Sequence, residues 1–313
     1  MTLILALVTE VGAYWQWLNL LHAQLPPGGK EPLLLSLDET SIARALTSAR
    51  GLVVTAKCPI HRLRRRPQRS QVARKRPRRG AMTHVGIIAD RPDVQVLLPQ
   101  IFLTNRHTFS IAAVAAATSG NAVIWRENTG WSTVSSMVRV IELLAVRLQP
   151  VRTKYQPILL MDCATPHLPP AVLAAATKHN IWVVLVPARV TWLLQPLDVF
   201  VYREYKRELQ KQHRRLVADS PDGVVTDAAW LQLITKVATD FLCSKSWRHA
   251  FVQTGAAGAQ DSLTRNLRSF KCPSSRGPTA EHLKALLPRR RNVDLESFFR
   301  PVLVASKRSR GIA

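Results

Sequence analysis

Three carboxylates stand where side chains can do chemistry: Asp38 in LLLSLDET, Asp162 in PILLMDCATPH and Asp198 in TWLLQPLDVFVYREYK. Each lies at the end of an apolar run or the start of a helical one, where a polar side chain stands at the rim of a core. Three acids placed in this way can hold a pair of divalent cations, because hard ions prefer oxygen ligands. Two-metal sites carry out phosphoryl transfer. Taken singly, each aspartate reads more readily as a turn or cap residue, Asp198 above all as a helix N-cap.

The surrounding elements must bring these acids together. Residues 1–24 read as a helix with an apolar face, broken by LPPGGKEP. LLLSLD (33–38) and GLVVTAK (51–57) are short apolar strands, and MTHVGIIAD (82–90) and VQVLLPQIF (94–102) also have strand character. Helical spacing follows over 131–148 and a strand over 157–162. A helix over 169–180, a strand over 181–187 and a helix from Asp198 to Arg215 complete this part. Residues 226–251 again read as helical, with Trp230, Leu231, Ile234, Val237 and Phe241 on one stripe. The order strand, strand, strand, helix, strand, helix, strand, helix predicts a mixed sheet with helices on its faces. Open α/β sheets place their sites outside the carboxyl ends of strands, so Asp38 and Asp162 can be neighbours despite 124 intervening steps of chain.

Composition narrows the partner. A formal charge of +24 points to a polyanion, nucleic acid before an anionic membrane surface. Much of that charge sits in HRLRRRPQRSQVARKRPRR (61–79), where ten of nineteen residues are Lys or Arg. No core accepts such a block, so it reads as a solvated arm for nonspecific DNA contact through Arg64, Arg65, Arg66, Arg74, Lys75, Arg76, Arg78 and Arg79. RKRPRR (74–79) also fits a nuclear localisation signal. No run reaches the length of a membrane span. The four cysteines, Cys58, Cys163, Cys243 and Cys272, lack paired spacing and read as reduced thiols. Cys58 and His61 have zinc-ligand spacing but no second pair nearby.

The chain resembles the DDE superfamily endonuclease domain of pogo/Tigger/jerky-type transposases, which have a ribonuclease H-like fold. The likeness runs from about residue 33 to 258. DET (38–40) resembles the first acidic motif, and LLMDCATPH (159–167) the second, with Cys163 where the family usually has Asn. VPARVTWLLQPLDVFVYREYK (186–206) resembles the third; NTGWSTVSSMV (128–138) and SWRHAFVQTG (246–255) resemble two further segments. The resemblance implies a mixed ribonuclease H-like sheet flanked by helices, with a basic insertion at 58–81, a helical lead-in at 1–32 and a basic tail at 259–313. It implies that Asp38, Asp162 and Asp198 bind two Mg²⁺ or Mn²⁺ ions and cleave or transfer DNA strands, in a nuclear protein for which a homodimer is one assembly. His167 would touch a phosphate or hold its loop, and Lys206 would meet a phosphate. The alternatives are a catalytically silent, domesticated DNA-binding or chromatin-associated module and a nuclease for RNA–DNA hybrids.

Three smaller readings remain. On the helix after Asp198, Tyr205 returns to the face of the aspartate and Lys206 falls to the side. Trp131 and Trp192 read as core residues before base-stacking ones. NVDLESFF (292–299) resembles a sliding-clamp docking motif but reads more simply as a short helix on the domain.

Overall fold

The computed structural model describes residues 2–43, 81–118, 120–220, 223–257, 262–268 and 270. The strand expected at 51–57, the basic block at 61–79 with all eight of its named basic residues, and the motif at 292–299 lie outside them.

Helix α1 (Thr2–Ala23) leads into strand β1 (Glu31–Ala43), followed by β2 (Ala81–Ala89), the short α2 (Pro92–Gln95), β3 (Gln100–Asn105), α3 (Ile111–Ala117) and β4 (Ala122–Glu127). Then come α4 (Val134–Arg147), β5 (Tyr155–Asp162), α5 (Pro170–Lys178), β6 (Trp182–Val186) and α6 (Thr191–Leu194). A π-helical turn (Leu197–Val201) opens α7 (Tyr202–Ala218), and α8 (Asp227–Ala238), a second π turn (Thr239–Cys243) and α9 (Arg248–Gln253) close the series. The strands form one mixed sheet in the order β4-β3-β2-β1-β5-β6. Pairing is parallel for β1 with β5, β5 with β6 and β3 with β4, and antiparallel for β1 with β2 and β2 with β3. Only β2 therefore runs against the other five, whose carboxyl ends share one edge.

Helices cover both faces, as expected from the alternation of elements. On one face Leu34, Ile88, Phe102 and Leu160 pack under α1, α3 and α6 to α9. On the other, Leu35, Ile87, Ile101 and Leu159 pack under α4 and α5. The stripe Trp230, Leu231, Ile234, Val237 and Phe241 is buried as its spacing predicts. Thr133 caps α4 in a reciprocal box with Ser136, which fixes where that helix starts. Leu263 and Leu267, assigned by composition to the tail, join the first core. Gly255, the glycine of the Phe-x-x-x-Gly segment, has φ +77° and lies so close to the Trp15 indole that a Cβ would sit 2.5 Å from Nε1.

The structure departs from expectation in three places. VQVLLPQIF is not one strand: Pro92 starts a helical turn, and the Gln95 side chain accepts the Ala89 N–H at 2.6 Å, so β3 begins only at Gln100. The sequence assigns nothing to residues 103–127, where α3 and β4 add a strand at the sheet edge. Ser110, whose Oγ accepts the Ala113 N–H at 3.1 Å, is the cap that marks α3. β1 also continues five residues beyond Asp38, so this acid is interior to its strand and not at its end.

Gly86 pairs with Asp38 in the β1–β2 ladder. A Cβ on Gly86 would lie 2.9 Å from the Tyr202 hydroxyl and 3.2 Å from its ring. Tyr202 is buried and donates that hydroxyl to the Asp38 carbonyl, so it has little room to retreat. Gly86→Ala is expected to destabilise the fold by about 1–3 kcal/mol through overpacking, seen as a lower urea midpoint with an unchanged slope.

Candidate metal centre

Strand register brings the first two acids together. β1 and β5 run in parallel with Leu35 opposite Leu159 and Ser36 opposite Leu160. Continuing that register by two residues sets Asp38 level with Asp162, on strands about 4.8 Å apart. Both then project to the face covered by α7, because side chains alternate along a strand. Asp198 approaches the same place from the π turn that opens α7, close enough for its charge to act on the Asp38 carboxyl. The acids grade outward, with Asp38 buried (6% exposed), Asp162 half-buried and Asp198 exposed.

The Leu-Gln-Pro-Leu-Asp segment is held on β1 by specific contacts. Leu193, Leu194 and Leu197 are core residues, and buried Gln195 donates Nε2 to the Leu37 carbonyl at 2.8 Å. Tyr202 holds the next carbonyl, that of Asp38. A buried amide needs such a partner, and here the partner is the strand that carries the first acid. Gln195, Tyr202 and Gly86 went unrecognised as site residues. The glutamine within a leucine-rich run was the available signal.

His167 forms a second part of the site. It is fully buried, with Nδ1 2.6 Å from Asp162 Oδ1 and Nε2 3.0 Å from Glu39 Oε1. Its place is thus between two carboxylates, in keeping with the loop-holding role and not with a phosphate contact. Glu39, unremarked beyond its place in DET, points from β1 toward the α5 side, and the clamp joins the two layers at the sheet edge. Glu39, Asp162 and His167 offer ligand atoms within 4.8 Å of one another. This set differs from the three aspartates and shares only Asp162 with them.

The electrostatics separate the two parts. Burial and the neighbouring Asp198, Asp162 and Glu39 charges push the Asp38 carboxyl well above the usual range, against a 2.8 Å hydrogen bond from the Glu39 N–H. Although Asp198 is largely exposed, the partial desolvation of its carboxyl and the Asp162 charge push it up, while Asp38 and Lys206 oppose them. Burial alone would depress His167, yet its bonds to Asp162 and Glu39 hold it up at about 10. Burial would raise Asp162, but His167 and the Ala164 N–H at 3.0 Å hold it below its ordinary value. Asp38 and Asp198 thus resist ionisation, while Asp162 is favoured as the carboxylate beside a His167 that favours its charged form. Burial raises the Cys163 thiol to about 12, and its Sγ donates to the Val186 carbonyl at 3.4 Å, so it is no nucleophile.

The π turn reverses the helical reading of α7. It takes up one residue without advancing the turn, a slip of roughly 100°. Tyr205 is accordingly turned into the core, its ring 5.2 Å from His84 and 5.9 Å from Phe241. Lys206, expected to the side, is the cation that acts on Asp198. Trp131 and Trp192 are not core residues: Trp131 is 65% exposed on the loop beyond β4, and Trp192 is 58% exposed on α6.

Residues 107–250 match the model of a family described as DDE superfamily endonuclease. That span includes Asp162, His167, Asp198 and Lys206 but not Asp38. No curated protein matches the chain. The six-stranded mixed sheet flanked by helices is an α/β fold consistent with the ribonuclease H-like domains of that class. No described helix is long and apolar enough to cross a membrane.

Proposed function

We propose that the chain is a transposase-derived, metal-dependent DNA endonuclease of the pogo/Tigger/jerky type. The observation that carries this reading is the approach of Asp38, Asp162 and Asp198 to one another, with Asp38 raised by burial and by the other acids and Asp198 raised by burial and by Asp162. Three acids of this kind fit hard divalent cations such as Mg²⁺ or Mn²⁺, whose charge would offset the crowding. Bound there, the ions would supply activation of a water or 3′-hydroxyl and stabilisation of the leaving oxygen. Both contacts of Asp162 with His167 and Ala164 fall on Oδ1, which leaves Oδ2 to face a cation. His167 keeps the Asp162 carboxylate oriented, and Lys206 sets a positive charge beside Asp198, suited to a substrate phosphate.

DNA is supported as the substrate by the net charge of +24. Ala43 and Ala81, which flank in sequence the interval that holds the basic block, pair with each other at the end of the β1–β2 ladder.

The test is nicking of supercoiled plasmid with Mn²⁺. The natural chain is expected to nick, and Asp162→Asn to lose at least roughly 100-fold of that rate. Duplex DNA is expected to outcompete an RNA–DNA hybrid. One observation favours the silent DNA-binding module instead: the fully buried His167 already neutralises Asp162. DNA binding without nicking by either protein would select that reading.

A further inference from the structure

We propose that the cleft beside Trp131 is a binding site for an unpaired nucleobase, stacked on the indole at the carboxyl edge of the sheet. The proposal rests on the nuclease reading and specifies the form of nucleic acid the site would take.

The cleft has a volume of about 590 Å³, within the range of small-molecule sites, about 300–1,000 Å³. Its walls come from the carboxyl ends of β1, β3 and β4 and from β2, through Ser41, Thr83, Asn105, Thr108, Thr129 and Trp131. They offer hydroxyls, an amide and one large aromatic, with no carboxylate among the lining residues. Exposed Arg106 and His107 follow directly on Asn105. Such a surface accepts the edge of a base and tolerates its phosphate, whereas the aspartate cluster repels both unless cations are bound.

The loop that carries Trp131 is tied to the sheet by two hydrogen bonds just ahead of the indole. Thr83 donates its hydroxyl to the Gly130 carbonyl at 2.6 Å, and Asn105 donates Nδ2 to the Asn128 carbonyl at 3.0 Å. Thr129 Oγ1 also accepts the Trp131 N–H at 3.4 Å. An indole 65% exposed gains little from its own fold, yet the backbone just ahead of it is held by buried Thr83 and half-buried Asn105. A fixed aromatic face is a platform on which any base stacks with little loss of entropy.

Position links the cleft to the acids. Ser41 lies three residues beyond Asp38 on β1, about 10 Å at strand spacing. β4, from which the Trp131 loop departs, is three strands from β1, about 14 Å. Ser41, Thr83 and Asn105 have the strand parity of Leu37, Val85 and Leu103 and so face the α4 side, across the sheet from the acids. A nucleotide strand with one phosphate at Asp38 and Asp162 would reach the cleft by passing round the carboxyl edge of the sheet, with the base out of the duplex. The single-strand platform that the basic block lacks, having no interleaved aromatics, is supplied here by the sheet edge.

The test uses the full chain in EDTA, so that it is independent of cleavage. The probes are a fully paired duplex and the same duplex with one 2-aminopurine in a short single-stranded gap. Binding of the gapped probe is expected to quench its fluorescence, and Trp131→Ala to abolish the quenching and weaken gapped-probe binding roughly 5- to 150-fold. Trp131→Phe should retain most of both, and duplex binding should be unchanged in all three proteins. Because Trp131 is exposed, unchanged circular dichroism is expected for both variants. Equal binding of the gapped probe by Trp131→Ala and the natural chain would overturn the base site while leaving the nuclease reading intact. Failure to bind either probe would overturn both. A change of Trp131→Ala from dimer to monomer, with no change in quenching, would assign the indole to a contact between copies.

Discussion

Asp38→Asn is expected to make the metal-free protein more stable and at the same time abolish nicking and any stabilisation by Mn²⁺. The asparagine can keep the hydrogen bond from the Glu39 N–H through Oδ1 and can donate Nδ2 to Asp198, so the local geometry survives. It removes the need to bury a carboxyl whose ionised form is opposed by burial and by three neighbouring acids. The gain should be about 0.5–2 kcal/mol, the usual size of a stabilising substitution. In a chain of this size that corresponds to roughly 2–4 °C of Tm per kcal/mol.

The sign of the pH effect follows from the direction of the shift. Asp38 is raised above its unfolded value, so the proton it holds stabilises the fold at low pH, and that contribution is lost as pH rises through the folded value. Without metal, the natural chain should therefore lose stability above about pH 4, with a slope of up to about 1.4 kcal/mol per pH unit per proton. Asp38→Asn should be flatter across that window, and its advantage should grow with pH. A cation does the reverse, because it must displace the proton: Mn²⁺ should raise the Tm of the natural chain more at pH 8 than at pH 6. Thermal denaturation with and without EDTA checks each part, and a lower Tm for metal-free Asp38→Asn at pH 8 would contradict the argument.

The parts of this site that were legible in the sequence are those with local signatures. Asp38, Asp162 and Asp198 announce themselves at the rims of apolar runs, and the 124-step separation of the first two equals the register offset of β1 and β5. What was not legible depends on partners distant in sequence. Glu39 and His167 are 128 residues apart and meet only because β1 and the loop after β5 share an edge. Gly86 looks like any strand glycine until Tyr202 lies over it. Lys206 and Tyr205 exchanged faces because a π turn has no reliable sequence mark, and counting at 3.6 residues per turn carries through it without warning. Trp131 was misjudged on composition: tryptophan is usually buried, and only the hydrogen bonds that tie its loop mark this one as exposed.

His167→Gln is the second large effect, with the opposite sign to that of Asp38→Asn. The imidazolium is fully buried between Asp162 and Glu39, at 2.6 and 3.0 Å. Glutamine can donate a hydrogen bond to one carboxylate but brings no charge, so two partly buried acids lose their shared cation. Breaking a buried ionic arrangement by removing one partner costs about 3–5 kcal/mol. The lower end is expected here, because both acids retain some exposure. His167 is held at about 10, above the ordinary histidine value of 6.5. Its contribution is therefore complete below about pH 6.5 and is lost as pH rises through about 10. In EDTA the deficit of His167→Gln should be largest near pH 6 and shrink toward pH 10, measured as the difference in urea midpoints. Comparing the two variants separates the layers of the site. Asp38→Asn removes a strain that cations would relieve, whereas His167→Gln removes the cation the protein supplies for itself. If His167 serves only to orient Asp162, nicking by His167→Gln should fall by roughly 10- to 100-fold, well short of the loss in Asp162→Asn. A loss as complete as that of Asp162→Asn, in protein still folded at the assay temperature, would make His167 part of the chemistry itself.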